Sequence, residues 1–171
     1  MFAKALHAHC CPQAPFVAIN CAALPESLIE AELFGYTEGS FTGARKGGAM
    51  GLLESAGDGI LLLDEIGDMP LALQSRLLRA LQERQVTRIG STTAAPFKAH
   101  IVAATHKDLG ALVANGGFRE DLFYRLDGLR VSLPGLEQRL DKQQLIEAFF
   151  QRPGFAPLQA EARRRLLAYH W

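Results

Sequence analysis

Three short apolar runs, each closed by polar residues, constrain this chain more than any other feature. They are Phe16-Val17-Ala18-Ile19-Asn20, Ile60-Leu61-Leu62-Leu63-Asp64-Glu65 and His100-Ile101-Val102-Ala103-Ala104-Thr105-His106. Runs this short do not make helices, but they fit strands buried in a parallel sheet. Stretches with helical spacing lie between them. This alternation predicts an α/β fold with a parallel sheet, whose ligand-binding edge is formed by the carboxyl ends of the strands. Asn20, Asp64-Glu65 and Thr105-His106 all fall at that edge.

The intervening segments fill in the pattern. Phe2 to His9 reads as helix, and Pro25-Glu26 opens another with Leu28, Ile29 and Leu33 on one face. Asp68 and Pro70 have the character of a helix start, with Asp68 as N-cap. Leu73, Leu77, Leu78 and Leu81 give that helix a single apolar stripe. Short helices are expected over Asp108–Val113 and Phe118–Leu126. Leu129-Arg130-Val131-Ser132-Leu133 alternates like a fourth strand. Gly35 to Gly51 holds six glycines without periodicity and reads as loop or inserted hairpin. Residues 85 to 98 read as irregular. Past Pro134, Lys142–Phe150 and Leu158–Tyr169 read as two helices separated by Pro153-Gly154. The expected division is an α/β core over residues 1–134 and the start of a helical lid over 135–171.

Bulk properties narrow the class. The chain has 171 residues, 49% of them hydrophobic and 21% charged, which suits one globular core and argues against disorder. Its formal net charge is zero, so there is no electrostatic case for direct DNA binding. No apolar run reaches the length of a membrane span, and the chain does not open like a secretory signal, so a cytoplasmic location is expected. Cys10, Cys11 and Cys21 do not suit a disulfide framework. The crowding of His7, His9, Cys10 and Cys11 lacks the spacing of a metal site.

Taken singly, the polar residues at the sheet edge have two readings each. Asp64 and Glu65 are either a turn after a strand or the acidic pair of a nucleotide hydrolase, one holding Mg²⁺ and the other orienting the attacking water. Asn20 by itself is a residue that ends a strand. A lone histidine such as His106 is more often structural, although an imidazole can donate to phosphate or water. Arg119 and Arg125, with Glu120 and Asp121 beside them, would pass for solvated surface residues. The loop Gly39-Ser40-Phe41-Thr42-Gly43-Ala44 would pass for a glycine-rich turn, except that it exposes an aromatic ring better suited to a partner than to water.

Together these residues resemble the AAA+ ATPase domain of bacterial enhancer-binding proteins, the activators of sigma-54 RNA polymerase. The family's signature loop reads GAFTGA, and this chain has GSFTGA. The blocks FVAINCAALPESLIEAELFG, LLLDEIGDMP, ATHKDL and FREDLFYRL also resemble family blocks and follow the family's order. The wording is nearest to the acetoin and dihydroxyacetone regulators.

The resemblance implies a three-layer P-loop-type sheet, ATP and Mg²⁺ as cofactors, and specific roles. Asp64 would hold the metal through the nucleotide, and Glu65 would polarise water. Asn20 would act as a switch hydrogen-bonded to Glu65. Thr105 and His106 would sense the γ-phosphate. Arg119 and Arg125 would be arginine fingers reaching a neighbouring subunit of a ring, a hexamer by family habit. Gly39, Ser40, Phe41, Thr42, Gly43 and Ala44 would contact sigma-54, with Arg88-Ile89-Gly90 as a second pore loop. The change from Ala to Ser at position 40 reads as minor. DNA would be contacted only through a separate domain.

One expected motif does not occur. None of the sixteen glycines is followed by lysine, so no G-x-x-x-x-G-K-[ST] loop exists to cradle phosphates. By resemblance, that loop and an interior strand of the sheet would lie upstream of Met1, and both ends of the chain read as truncated. The expectation is weak ATP binding and marginal stability, with micromolar nucleotide affinity as the contrary result. Departures such as Glu137 in the linker to the lid point the same way. The competing reading is a catalytically inert remnant that keeps only the sigma-54 and subunit-contact surfaces. A more distant one is an unrelated phosphate-binding regulator.

Overall fold

The computed structural model describes residues 2–170 and divides into two compact units, one running to Gly128 and the other starting at Leu129. The first unit is built on a parallel sheet of three strands, β1 (Phe16–Asn20), β4 (Ile60–Asp64) and β7 (His100–Ala104), in the order β1-β4-β7. The register is level across the sheet. Asn20 stands opposite Asp64, which stands opposite Ala104.

The amino ends of the strands set this register. Ile60 N–H donates to Pro15 O at 3.0 Å, and His100 N–H donates to Gly59 O at 2.9 Å. A Cβ built on Gly59 would lie 1.9 Å from Pro15 O, so only glycine lets the two backbones meet there.

Burial is uneven. In β4, Leu61 and Leu63 point to one face and are fully buried, together with Ile19 of β1. Helices α2 (Glu26–Phe34) and α4 (Leu71–Glu83) cover that face with Ile29, Leu33 and Phe34 and with Leu73, Leu77, Leu78 and Leu81. Phe118 and Leu122, the latter from α6 (Glu120–Leu126), complete the cluster. On the opposite face Ile60 is buried near the amino end of β4, but Ala18 is exposed, and Leu62 and Val102 are only half-buried. The outer strands β1 and β7 are therefore not the fully buried strands expected from their composition. Leu28 likewise leaves the α2 stripe and is exposed.

The remaining elements refine the expectations. The stretch from Gly35 to Gly51 closes as a short antiparallel hairpin, β2 (Gly35–Tyr36) with β3 (Ala49–Met50). A second hairpin, β5 (Gln85–Thr87) with β6 (Ala94–Pro96), occupies the stretch read as irregular. It is anchored by buried Val86 and Phe97, with the Arg84 guanidinium 5.6 Å from the Phe97 ring. Asp68 does not cap α4. It lies in a 3-10 turn over Ile66–Asp68 and pairs with Lys107, and Pro70 precedes the helix. Helix α1 covers Phe2–Cys10, α3 covers Leu52–Ser55, and α5 covers Leu109–Ala114 with Asp108 as its true N-cap, accepting from Ala111 N–H at 3.1 Å.

In the second unit, Leu129–Leu133 is not a strand. The segment has the right alternation, but it joins no ladder, and Leu129, Val131 and Leu133 are exposed. A strand is stable only when its N–H and C=O groups find partners on a neighbour. Helices α7 (Lys142–Phe150) and α8 (Ala160–Ala168) follow and carry the ion pair Arg163–Glu147 at 3.4 Å. Phe149, Phe150 and Phe155 cluster around the end of α7 with ring centroids 4.8 to 5.8 Å apart.

Candidate functional site at the carboxyl edge of the sheet

The level register brings Asn20, Asp64 and the segment after Ala104 to one edge. Asp64 ends β4 and is half-buried. Glu65 follows in the left-handed region at φ 53°, one of two non-glycine residues with positive φ among the described residues. That conformation is uncommon for a residue with a Cβ. It turns the chain sharply from the strand into the 3-10 turn. The Glu65 Oε2 accepts a hydrogen bond from His106 Nδ1 at 2.8 Å and faces the His106 backbone N–H at 3.4 Å.

Asn20 is oriented differently. Its Oδ1 accepts from Ala22 N–H at 2.8 Å, and no hydrogen bond joins it to Glu65 among the described residues. Thr105 Oγ1 accepts from Lys107 N–H at 3.1 Å. It stands close over Gly67, where a Cβ would come within 2.9 Å of it. Lys107 Nζ reaches back to Asp68. The acids leave an electrostatic trace on buried Cys21: burial first, then the charges of Asp64 and Asp68, push its thiol up to about 11.

Arg119 and Arg125 are placed by α6. Arg119 grips Asp121 with two hydrogen bonds of 2.9 and 2.6 Å and donates to Ser75 Oγ at 3.1 Å. This pairing raises the Arg119 pKa and lowers that of Asp121. The Arg119 backbone N–H donates to Gln74 Oε1 at 2.8 Å, and Gln74, fully buried, ties the start of α6 to α4. Arg125 donates to Leu81 O at 2.8 Å. Both guanidinium groups are thus held by this chain's own acceptors.

The GSFTGA loop has more structure than its composition shows. Phe41 is exposed and packs edge-on against Tyr36, ring centroids 4.9 Å apart. Thr42 is exposed. Ser40 Oγ donates to Ile89 O at 2.9 Å or to Thr37 O at 2.7 Å, and Thr37 N–H donates to Ile89 O at 2.9 Å. Gly90 leaves room for this, since a Cβ there would fall 2.3 Å from Ser40 Oγ. Glu54 accepts two bonds from Arg88, at 3.0 and 2.8 Å, which raise the Arg88 pKa and fix the second loop. Ser40, read as a minor change, is a junction between the two loops. The signal for it lay 49 residues away and could not be seen locally.

The donor set suits part of a nucleotide site. Among the described residues no group of three His, Cys, Asp or Glu side chains could hold a metal ion by itself. A divalent ion at Asp64 would therefore take its other ligands from phosphate oxygens and water, as Mg²⁺ at triphosphates usually does. Asp64 and Glu65 are the acids of this set, and Thr105 and His106 stand at the same edge of the sheet. None of the residues here forms a lysine-bearing phosphate loop.

Residues 1–132 match the family described as the Sigma-54 interaction domain. The chain is 49% identical over 175 residues to the Acetoin catabolism regulatory protein of Cupriavidus necator, aligning 99% of itself with 26% of that protein. It is 50% identical over 147 residues to the Acetoin dehydrogenase operon transcriptional activator AcoR of Bacillus subtilis, aligning 84% of itself with 24% of that protein. It thus spans about a quarter of the length of these relatives. Among solved structures it superposes on NtrX from Brucella abortus with a TM-score of 0.85 and 34% identity, covering 99% of this chain and 39% of that one. NtrX has also been solved in complex with ADP and with ATP. With its parallel α/β sheet and its match over residues 1–132, the chain belongs to the sigma-54 interaction domain family of AAA+ transcriptional activators.

Proposed function

We propose that this chain is part of an ATPase module that couples ATP hydrolysis to remodelling of the closed complex of sigma-54 RNA polymerase. The observation that carries this is the level register of Asn20, Asp64 and Ala104, which gathers two acids, Thr105 and His106 at one sheet edge. In this reading Asp64 holds Mg²⁺ through the nucleotide, and Glu65 orients the attacking water. Thr105 and His106 face the terminal phosphate. Asn20 couples the state of the site to the loop. Mg-ATP supplies the phosphoryl group and the charge that the site must stabilise.

Arg119 and Arg125 then serve a neighbouring copy's site in a ring, hexameric by family habit, after Arg119 exchanges Asp121 for phosphate. The exposed Phe41 and Thr42 present Gly39 to Ala44 to sigma-54. The protein works in the cytoplasm, and DNA is bound by another domain. Among the described residues no helix is long and apolar enough to cross a membrane.

The test grafts this chain over the corresponding segment of the Cupriavidus necator acetoin regulator, which shares 49% identity with it. The graft is expected to hydrolyse ATP, and Glu65→Gln to slow hydrolysis by roughly 100-fold or more. Thr42→Ala is expected to spare hydrolysis and abolish sigma-54-dependent transcription. Undiminished hydrolysis in Glu65→Gln would overturn the catalytic reading. Normal transcription with Thr42→Ala would overturn the loop's role.

A further inference from the structure

The geometry points to His106 as the residue that positions the Glu65 carboxylate. This rests on the reading of Glu65 as the carboxylate that orients water. Its left-handed backbone turns the chain out of β4, and residues held in such conformations cluster at working sites. The carboxylate crosses to the segment after β7, where one oxygen, Oε2, meets both the ring Nδ1 and the backbone N–H of His106.

No other polar side chain among the described residues donates to Glu65. Asn20 accepts from Ala22, Thr105 accepts from Lys107, and Lys107 is paired with Asp68. His106 is the side chain that holds Glu65.

A carboxylate has no proton to give, so the hydrogen-bonding proton belongs to Nδ1. That leaves Nε2 directed away from Glu65. With Oε2 fixed by two donors, Oε1 is the oxygen left to take a water. His106 therefore sets which carboxylate oxygen works and in which direction, a role separate from any contact of its own with phosphate.

Long-range ¹H–¹⁵N NMR of this chain, at a pH where its imidazoles are neutral, reads the tautomer directly. His106 is expected to carry its proton on Nδ1 and to shift toward the Nε2–H form ordinary in water when Glu65 is replaced by Ala. An unchanged tautomer in Glu65→Ala would overturn the pairing.

In the graft described above, His106→Ala is expected to lower kcat by roughly ten- to a hundredfold, because the group that orients the Glu65 carboxylate is lost. His106→Asn, which keeps a side-chain donor, recovers most of the rate. Full activity in His106→Ala, while Glu65→Gln remains inactive, would overturn the positioning role and leave the ATPase reading intact. Activity in Glu65→Gln would instead remove the premise.

Discussion

Leu61 and Leu63 are fully buried on one face of the sheet, while Leu62, between them in sequence, is half-buried on the other beside exposed Ala18. The same five-residue strand thus meets two environments. Parallel sheets in α/β proteins are normally covered on both faces. Here α2 and α4 cover one face, whereas on the other Ile60 is buried and Leu62, two residues on, is not. Apolar composition alone says that a residue favours burial. It does not say which face will be roofed.

The largest expected effect separates the faces directly. Leu63→Ala should cost about 3 to 4 kcal/mol, because the cavity is closed on all sides, whereas Leu62→Ala should cost only about 1 kcal/mol, because water can fill the gap. Urea denaturation followed by circular dichroism measures both. Equal losses would erase the distinction.

Cys21 sharpens the comparison, since it belongs to the covered cluster while Cys10 is exposed and Cys11 half-buried. A thiol reagent should modify Cys10 and Cys11 in the folded chain and reach Cys21 only on unfolding. The sign of the pH effect follows from the raised thiol pKa. Between the ordinary value of 9.0 and about 11, the unfolded chain has released the Cys21 proton and the folded chain has not. The unfolded state is then favoured, so stability should fall as pH rises through that window. Stability independent of this thiol, shown by the same alkaline slope in Cys21→Ala, would contradict the burial.

The smallest effect lies away from both faces. Ser40→Ala should cost about 1 kcal/mol, the scale of a lost hydrogen bond, and it should act locally. Hydrogen exchange would show it at the Thr37 and Ile89 amides, with the amides of β4 unchanged. Faster exchange throughout the sheet would mean that the two loops support the core.

What the sequence made legible was local. The apolar runs of β1, β4 and β7, the polar residues that close them, and the stripe of α4 all follow from short-range pattern. The failures share a different cause. Leu129–Leu133 has a strand's alternation, but strand formation depends on a partner's backbone, which no alternation specifies. The β5–β6 hairpin was hidden because each of its strands is only three residues long, too short for Val86 and neighbouring Phe97 to make a periodic pattern. Asp68 had the composition of a cap, but its charge is answered by Lys107, 39 positions away. At the candidate site the residues were legible and their pairing was not. Asn20 and Glu65 were expected to meet, and in this structure each has another partner.

Gly59 sits at the end of the sheet farthest from the acids, yet it governs where they stand. Because Pro15, Gly59 and His100 dock without a side chain between them, all three strands leave from a common baseline and, being equally long, finish abreast. A methyl group at position 59 would pry that baseline open and shift the carboxyl ends out of step by a fraction of a residue. The alignment of Asp64 with its neighbours is thus guarded by an atom that is absent some five residues upstream.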